Sequence, residues 1–189
     1  MTAREQQDEL PELFVIVASA DDAGALAPLA ARDPEVCPVL VATGPDPMAV
    51  DEALDDLGAL AGRVLLVDDP EAGPVAEVAA LLPRLDALVA DDRPAALLVR
   101  GGSVTALVAT QAAVWRGVPV VAVPVDGGDT VASANQAAIG ALVASQEAHD
   151  TAPDDVRAAA AAHRLSRERL TGGDRPRVVR LPTHRTLSA

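Results

Sequence analysis

Short apolar runs alternate with amphipathic stretches along this chain, and Asp, Gly or Pro punctuates most of the joins. Leu13 to Ser19 (LFVIVAS) is a continuous apolar run of the kind found in strands covered on both faces. Asp21 and Asp22 stand where they would cap a helix from Ala23 to about Ala31, which Asp33-Pro34 would end. Cys37 to Ala42 reads as a second buried strand, Thr43-Gly44-Pro45 as the turn after it, and Pro47 to Leu60 as a second helix. Arg63 to Val67 reads as a third strand. Pro74 to Ala90 reads as a long helix, with Val75, Val78, Leu81, Leu82, Leu85 and Leu88 on one face.

The same alternation continues. Ala95 to Val99 is the fourth expected strand, followed by Arg100-Gly101-Gly102-Ser103 and a helix from Val104 to Arg116 that Gly117 would end. Val118 to Val123 is the fifth. Asp126-Gly127-Gly128-Asp129-Thr130 then leads to a helix near Ser133 to Ile139, and Leu142 to Ser145 suggests a short sixth strand. Ala152 to Leu170 is Ala- and Arg-rich and reads as helix, broken by Thr171-Gly172-Gly173-Asp174, with Arg177 to Leu181 as a last strand. Strands alternating with helices imply an α/β fold, a doubly wound parallel sheet with helices on both faces. Ligands of such sheets sit outside the carboxyl ends of the strands. The loops of interest are therefore Ala18 to Asp22, Ala42 to Asp46, Val99 to Ser103 and Pro124 to Thr130.

The 189 residues suit one domain, expected over 13–183 between a leader at 1–12 and a frayed tail at 184–189. Phe14 and Trp115 are the only aromatics, so the core has to be filled by closely packed Ala, Val and Leu. Net charge is −13, Lys is absent, and the acids crowd the part before Asp92 while the stretch from Arg157 is basic. A negative chain without Lys clusters or stacking platforms is not built for nucleic acid. Cys37 is a lone thiol, which rules out a disulfide framework or a Cys-based metal site within the chain and fits a reducing compartment. The polar, acidic start lacks the pattern of a signal peptide, and no stretch reaches the roughly 20 apolar residues of a membrane helix, so a cytoplasmic protein is expected.

The stretch Pro94 to Gln146 carries phrases in a recognisable order: PAALLVRGGS, a helix, RGVPVVAVPVDGGDT, then ASANQ. It resembles the middle of the UDP-N-acetylglucosamine 2-epimerases, whose general form is P-D-x-V-L-V-x-G-D-T, a helix, R-I-P-V-x-H-V-E-A-G-L-R-T, then E-E-x-N-R. Ala18 to Leu29 takes the place of that family's opening G-T-R-P-E-x-x-x-x-x-P-L, and the resemblance runs from about Leu13 to Thr183. It implies one Rossmann-like domain equivalent to the N-terminal half of a glycosyltransferase-B-like fold, in which two such domains enclose a nucleotide sugar. It also implies, for complete members, removal of the sugar C2 proton with loss of UDP.

That chemistry needs carboxylates as acid and base, and this sequence departs from the family where they belong. Gly102 stands for the Asp of G-D-T, Ala122 and Pro124 for the His and Glu of H-V-E, and Ala132, Ser133 and Gln136 for the acids and Arg of E-E-x-N-R. Asn135 persists. The Arg and Glu of the opening motif fall near Ala20 and Asp22, and the Arg of G-L-R-T on Gly128. No catalytic residue is assigned. Gly101, Gly102, Ser103 and Asn135 are the vestigial positions facing a nucleotide sugar, and neither cofactor nor metal is expected.

Each of these features also has a plainer reading. Gly101-Gly102-Ser103 can offer backbone N–H groups to a phosphate, but a tight strand-to-helix turn with Ser103 as cap is the simpler reading. Asp126 and Asp129 bring negative charge toward any pyrophosphate, so a helix-capping loop is the simpler reading. His149, His163 and His184 show no ligand spacing and are taken as surface residues. Ser19, Ser103 and Ser133 lack a visible base, and Cys37 reads as core. The expectation is a catalytically deficient half-domain serving as a non-catalytic partner of an epimerase-like enzyme, or associating with itself. The alternative is a UDP-sugar-binding subunit completed by a separately encoded domain. Neither nucleic acid nor membrane is an expected partner.

Overall fold

The computed structural model describes residues 10–67, 73–127, 129–146 and 153–169. Five strands, β1 (Glu12–Val17), β2 (Cys37–Ala42), β3 (Arg63–Val64), β4 (Ala96–Arg100) and β5 (Val120–Val123), form one sheet in the order β3-β2-β1-β4-β5. Every pairing is parallel. The helices are α1 (Ala20–Leu26), α2 (Pro47–Asp56), α3 (Pro74–Asp92), α4 (Val104–Trp115), α5 (Thr130–Gln146) and α6 (Pro153–Arg169), with a 3-10 turn at Ala27–Ala30. The doubly wound α/β class is thus the observed one.

Alternation along β1 divides the core. Leu13, Val15 and Val17 pack with α1, α2 and α6, whereas Phe14 and Ile16 pack with α3, α4 and α5. Both sets are buried, which is why the sequence reads as an unbroken apolar run rather than as alternation. The short side chains permit close layering: Ala106, Ala109, Ala112 and Ala113 of α4 are all buried, held between the sheet, α3 and α5. The Val104–Trp115 helix is therefore an interior element and not an open docking face, although Trp115 at its end is exposed.

Several expected elements change. Ser19, not Asp21 or Asp22, caps α1: its Oγ accepts from the Asp22 amide at 3.1 Å, so the helix starts earlier and turns 3-10 before Pro28. The second helix stops at Asp56, where Gly58 takes a φ of 72° that ends it. The third strand keeps only Arg63 and Val64 in the ladder, both exposed. Val75 is exposed at the start of α3, and Leu81, Leu85 and Val89 are its fully buried positions. Leu142 to Ser145 is not a strand, because α5 runs on to Gln146 with Ile139 and Val143 four apart on the core.

α6 crosses the face over β5, β4 and β1 and ends against the 3-10 turn. Arg164 fixes it there: its guanidinium meets Asp33 at 2.9 Å and Glu35 at 2.7 Å, while Arg169 donates to the carbonyls of Ala31 and Arg32. Burial alone would raise the Asp33 pKa. The Glu35 amide and the Arg164 guanidinium outweigh burial and hold it below the ordinary carboxylate range. His163 is half-buried rather than a surface residue, and burial pushes its pKa down, helped by Arg167. Cys37 is half-buried at the start of β2, against the second core cluster. Of the expected leader at 1–12, residues 10–12 are described and Glu12 already opens β1; residues 1–9, His149, His184, the Thr171 to Asp174 break, the Arg177 to Leu181 strand and the 184–189 tail lie outside the described residues.

Candidate functional site

Strand order reverses between β1 and β4, and the carboxyl ends of these strands are where sheets of this kind take ligands. The loops after β1, β2, β4 and β5 rim this mouth. Two of them meet closely: a Cβ on Gly44 would lie 2.5 Å from the Ala18 carbonyl oxygen, and Gly44 has a φ of 97°. Glycine is thus required there on both grounds. Beside it Thr43 is wholly buried, and its hydroxyl has no hydrogen-bond partner among the described residues.

Across the switch point, Arg100 at the end of β4 donates to Asp22 of α1 at 2.9 Å. Burial drives the Asp22 pKa upward, and the bond and charge of Arg100 oppose this without overcoming it. The pair joins the two halves of the sheet where a ligand would enter. Sequence reading placed Asp22 as a helix cap and passed over the pair. The available signal was that opposite charges follow the two strands that flank the reversal.

The sequence-derived positions fall together on the β4–β5 side. Ser103 is exposed and caps α4, its Oγ accepting from the Ala106 amide at 3.0 Å. Gly101 makes the turn with a φ of 71°. Gly102 is buried against α5, so tightly that an added Cβ would lie 1.9 Å from the Ala132 carbonyl oxygen. Asn135 donates to the Gly102 carbonyl at 3.0 Å, and Gln136 accepts from the Val125 amide at 3.0 Å. Asp129 caps α5 by accepting from the Ala132 amide at 2.8 Å. Gly102, Ala132, Asn135 and Gln136, which align with the resembled family's polar positions, here lock α5 onto the β4 and β5 loops.

The charge at the mouth is mainly negative. Asp21 in the first turn of α1 and Asp46, Asp126 and Asp129 on the loops are exposed, and Arg100 is already engaged by Asp22. Among the described residues no group of three or more His, Cys, Asp or Glu could hold a metal ion, and no helix is long and apolar enough to cross a membrane.

The parallel sheet and its strand order define a Rossmann-like α/β domain, equivalent in fold to one half of a glycosyltransferase-B-like protein. Among the solved structures this domain is similar to are UDP-N-acetylglucosamine 2-epimerases, in agreement with the resemblance carried by the sequence phrases. One such epimerase superposes with a TM-score of 0.64 at 21% identity, over 71% of this chain and 40% of that one. The Neisseria meningitidis enzyme bound to UDP-GlcNAc gives 0.62 at 17% identity, over 69% and 38% of the two chains. S. aureus MnaA with UDP gives 0.61 at 19%, over 70% and 37%. The chain thus spans about 40% of the length of these enzymes. No protein-family model matches the sequence, and neither does any curated protein.

Proposed function

We propose that this chain is a catalytically deficient half-domain of the UDP-N-acetylglucosamine 2-epimerase type, acting by association with a complete epimerase-like protein. The observation that supports this most is the contact at Gly102. Where the resemblance puts a carboxylate, α5 fills the space, and a Cβ would fall 1.9 Å from the Ala132 carbonyl oxygen. The loss is thus structural as well as chemical: no side chain returns to position 102 unless α5 moves. Asn135 and Gln136 are committed to backbone partners, so they serve cohesion of the lobe. Association, in a cytoplasmic setting that suits the single thiol of Cys37, gives such a lobe a use without chemistry of its own. The test is co-purification of the untagged chain with a tagged epimerase homologue from the same source, alongside turnover of UDP-N-acetylglucosamine by the chain alone. Capture without turnover is the expected result; turnover by the isolated chain overturns the reading.

A second reading is favoured by the Arg100–Asp22 pair. A guanidinium and a carboxylate of raised pKa at the switch point are groups that a UDP-sugar-binding half could use once a separate domain faced them. Two of the similar structures hold UDP-GlcNAc or UDP. Calorimetric titration of UDP and UDP-N-acetylglucosamine discriminates: the second reading requires binding that Arg100→Ala abolishes, and the first requires none.

A further inference from the structure

Because Leu142 to Ser145 is helical, β5 is the last strand of the sheet among the described residues, and among them no strand lies along its second side. The bonds to β4 show which side. Pro119 and Val123 turn their carbonyls to β4, accepting from Leu97 and Gly101 at 2.9 and 2.8 Å. Peptide groups alternate along a strand, so the Val118 carbonyl and the Val120 amide point the other way, toward the place a sixth strand would take. The last residue of α5 meets both: Gln146 Nε2 donates to the Val118 carbonyl at 2.6 Å, and Gln146 Oε1 accepts from the Val120 amide at 3.1 Å.

In a parallel ladder one residue donates its N–H to the carbonyl at position j−1 and accepts from the N–H at j+1. The carboxamide of Gln146 makes that pair of bonds around Pro119, with the same donor and acceptor at the same spacing. Gln136, ten residues earlier on the same helix, accepts from the Val125 amide at 3.0 Å, beyond the end of β5. We infer that Gln146 is a surrogate for one residue of a sixth strand, closing the β5 edge against pairing with a second copy of this chain. An open β5 is apolar and largely buried, and its own antiparallel copy about a two-fold axis is the partner that satisfies the same groups.

The experiment compares Gln146→Met, which keeps the volume and loses both bonds, with Gln146→Glu, which keeps the acceptor for Val120 and loses the donor. Amide exchange by NMR is read at Val120, with Val15 in the central strand as control, and self-association is read by sedimentation across a concentration series. The expected order of exchange at Val120 is wild type, then Glu, then Met, with about tenfold between the ends. The Met variant is also expected to form dimers, which Ala122→Pro in the same chain then suppresses by removing a further outward N–H. If the Met variant also loses Val15 protection, the Glu variant alone decides, through selective loss at Val120. Unchanged exchange at Val120, or a Met variant that keeps Val15 protection yet stays monomeric throughout, overturns the inference.

Discussion

The two edges of the sheet are finished by opposite means. At β5 a long helix turns back and lays the carboxamide of Gln146 along the strand, so the edge is covered by contacts that imitate a ladder. At β3 the ladder shrinks to Arg63 and Val64, and the carbonyls beside it, of Gly62 and Leu66, accept from the guanidinium groups of Arg63 and Arg84. One edge is plugged, the other shortened and charged, and both are ways of refusing a further strand. The difference reaches into the surroundings. Met48, Leu57, Leu60, Val64, Leu66 and Val75 stay exposed on the β3 side, whereas toward β5 the loops and α5 interlock through Gly102, Asn135 and Gln136. Stability should therefore be far more sensitive to substitution on the β5 side.

The largest effect is expected at Gly102. Gly102→Asp restores the carboxylate of the resembled family but drives a Cβ into the backbone of α5, which should cost about 3 kcal/mol or more by denaturant titration. It should also yield no turnover of UDP-N-acetylglucosamine. A variant that folds normally would mean that α5 yields readily, and would weaken both the contrast between the edges and the proposed lack of activity.

The next effect lies on the other face, where Arg164 anchors α6 beside the start of β2. Arg164→Ala leaves Asp33 buried without its guanidinium and should cost about 2 kcal/mol. The pH dependence has a definite sign. Asp33 has a depressed pKa in the fold, so its contribution is complete above the ordinary carboxylate value near 4 and is lost as pH falls through the folded value. Asp22 has the reverse sign: its raised pKa gives a contribution present below the ordinary value and lost as pH rises through the folded one. Asp33→Asn should flatten the acid limb of a stability profile, and Asp22→Asn should remove the decline on the other side of it.

Asn135→Ala comes third, at about 1 kcal/mol, since it removes one neutral bond to the half-covered β4 loop. Its use is diagnostic. A structural role predicts a lower unfolding midpoint with no change in calorimetric response to UDP, while a retained ligand position would reverse that pattern.

These contrasts explain how much could be read from the sequence. Apolar runs such as Leu13 to Val17 announce a parallel strand buried on both faces, and Ser103 before an apolar helix announces its cap, so the α/β class and the β4–α4 turn were legible. What escaped were features set by partners distant in sequence. That Leu142 to Ser145 is helix goes with contacts made far along the chain, Ile139 and Val143 on the core and Gln146 on Val118 and Val120, 28 and 26 residues away. Asp22 was legible as a capping residue and illegible as half of an ion pair with Arg100, 78 residues on. Gly102 looked like a turn glycine, and its stricter reason, the pressure of Ala132, exists only once α5 is docked.

The smallest effect sharpens the comparison from the permissive side. Leu60 and Leu66 are 75% and 53% exposed, so neither owes much to burial and each Ser replacement should change stability by no more than about 0.5 kcal/mol. Solubility at high concentration should rise, because Leu60 shares a groove with Met48 that is otherwise lined by Asp46, Ala49, Asp51, Glu52 and Asp55. The same groove offers a second measurement. If an epimerase-like partner sits on the β3 side, Leu60→Ser should weaken capture while leaving the unfolding midpoint in place, a separation that no substitution at Gly102 can achieve. If capture is untouched and only Gly102 and Asn135 variants lose it, the partner depends on the integrity of the interlocked side, and the exposed leucines are bystanders to association.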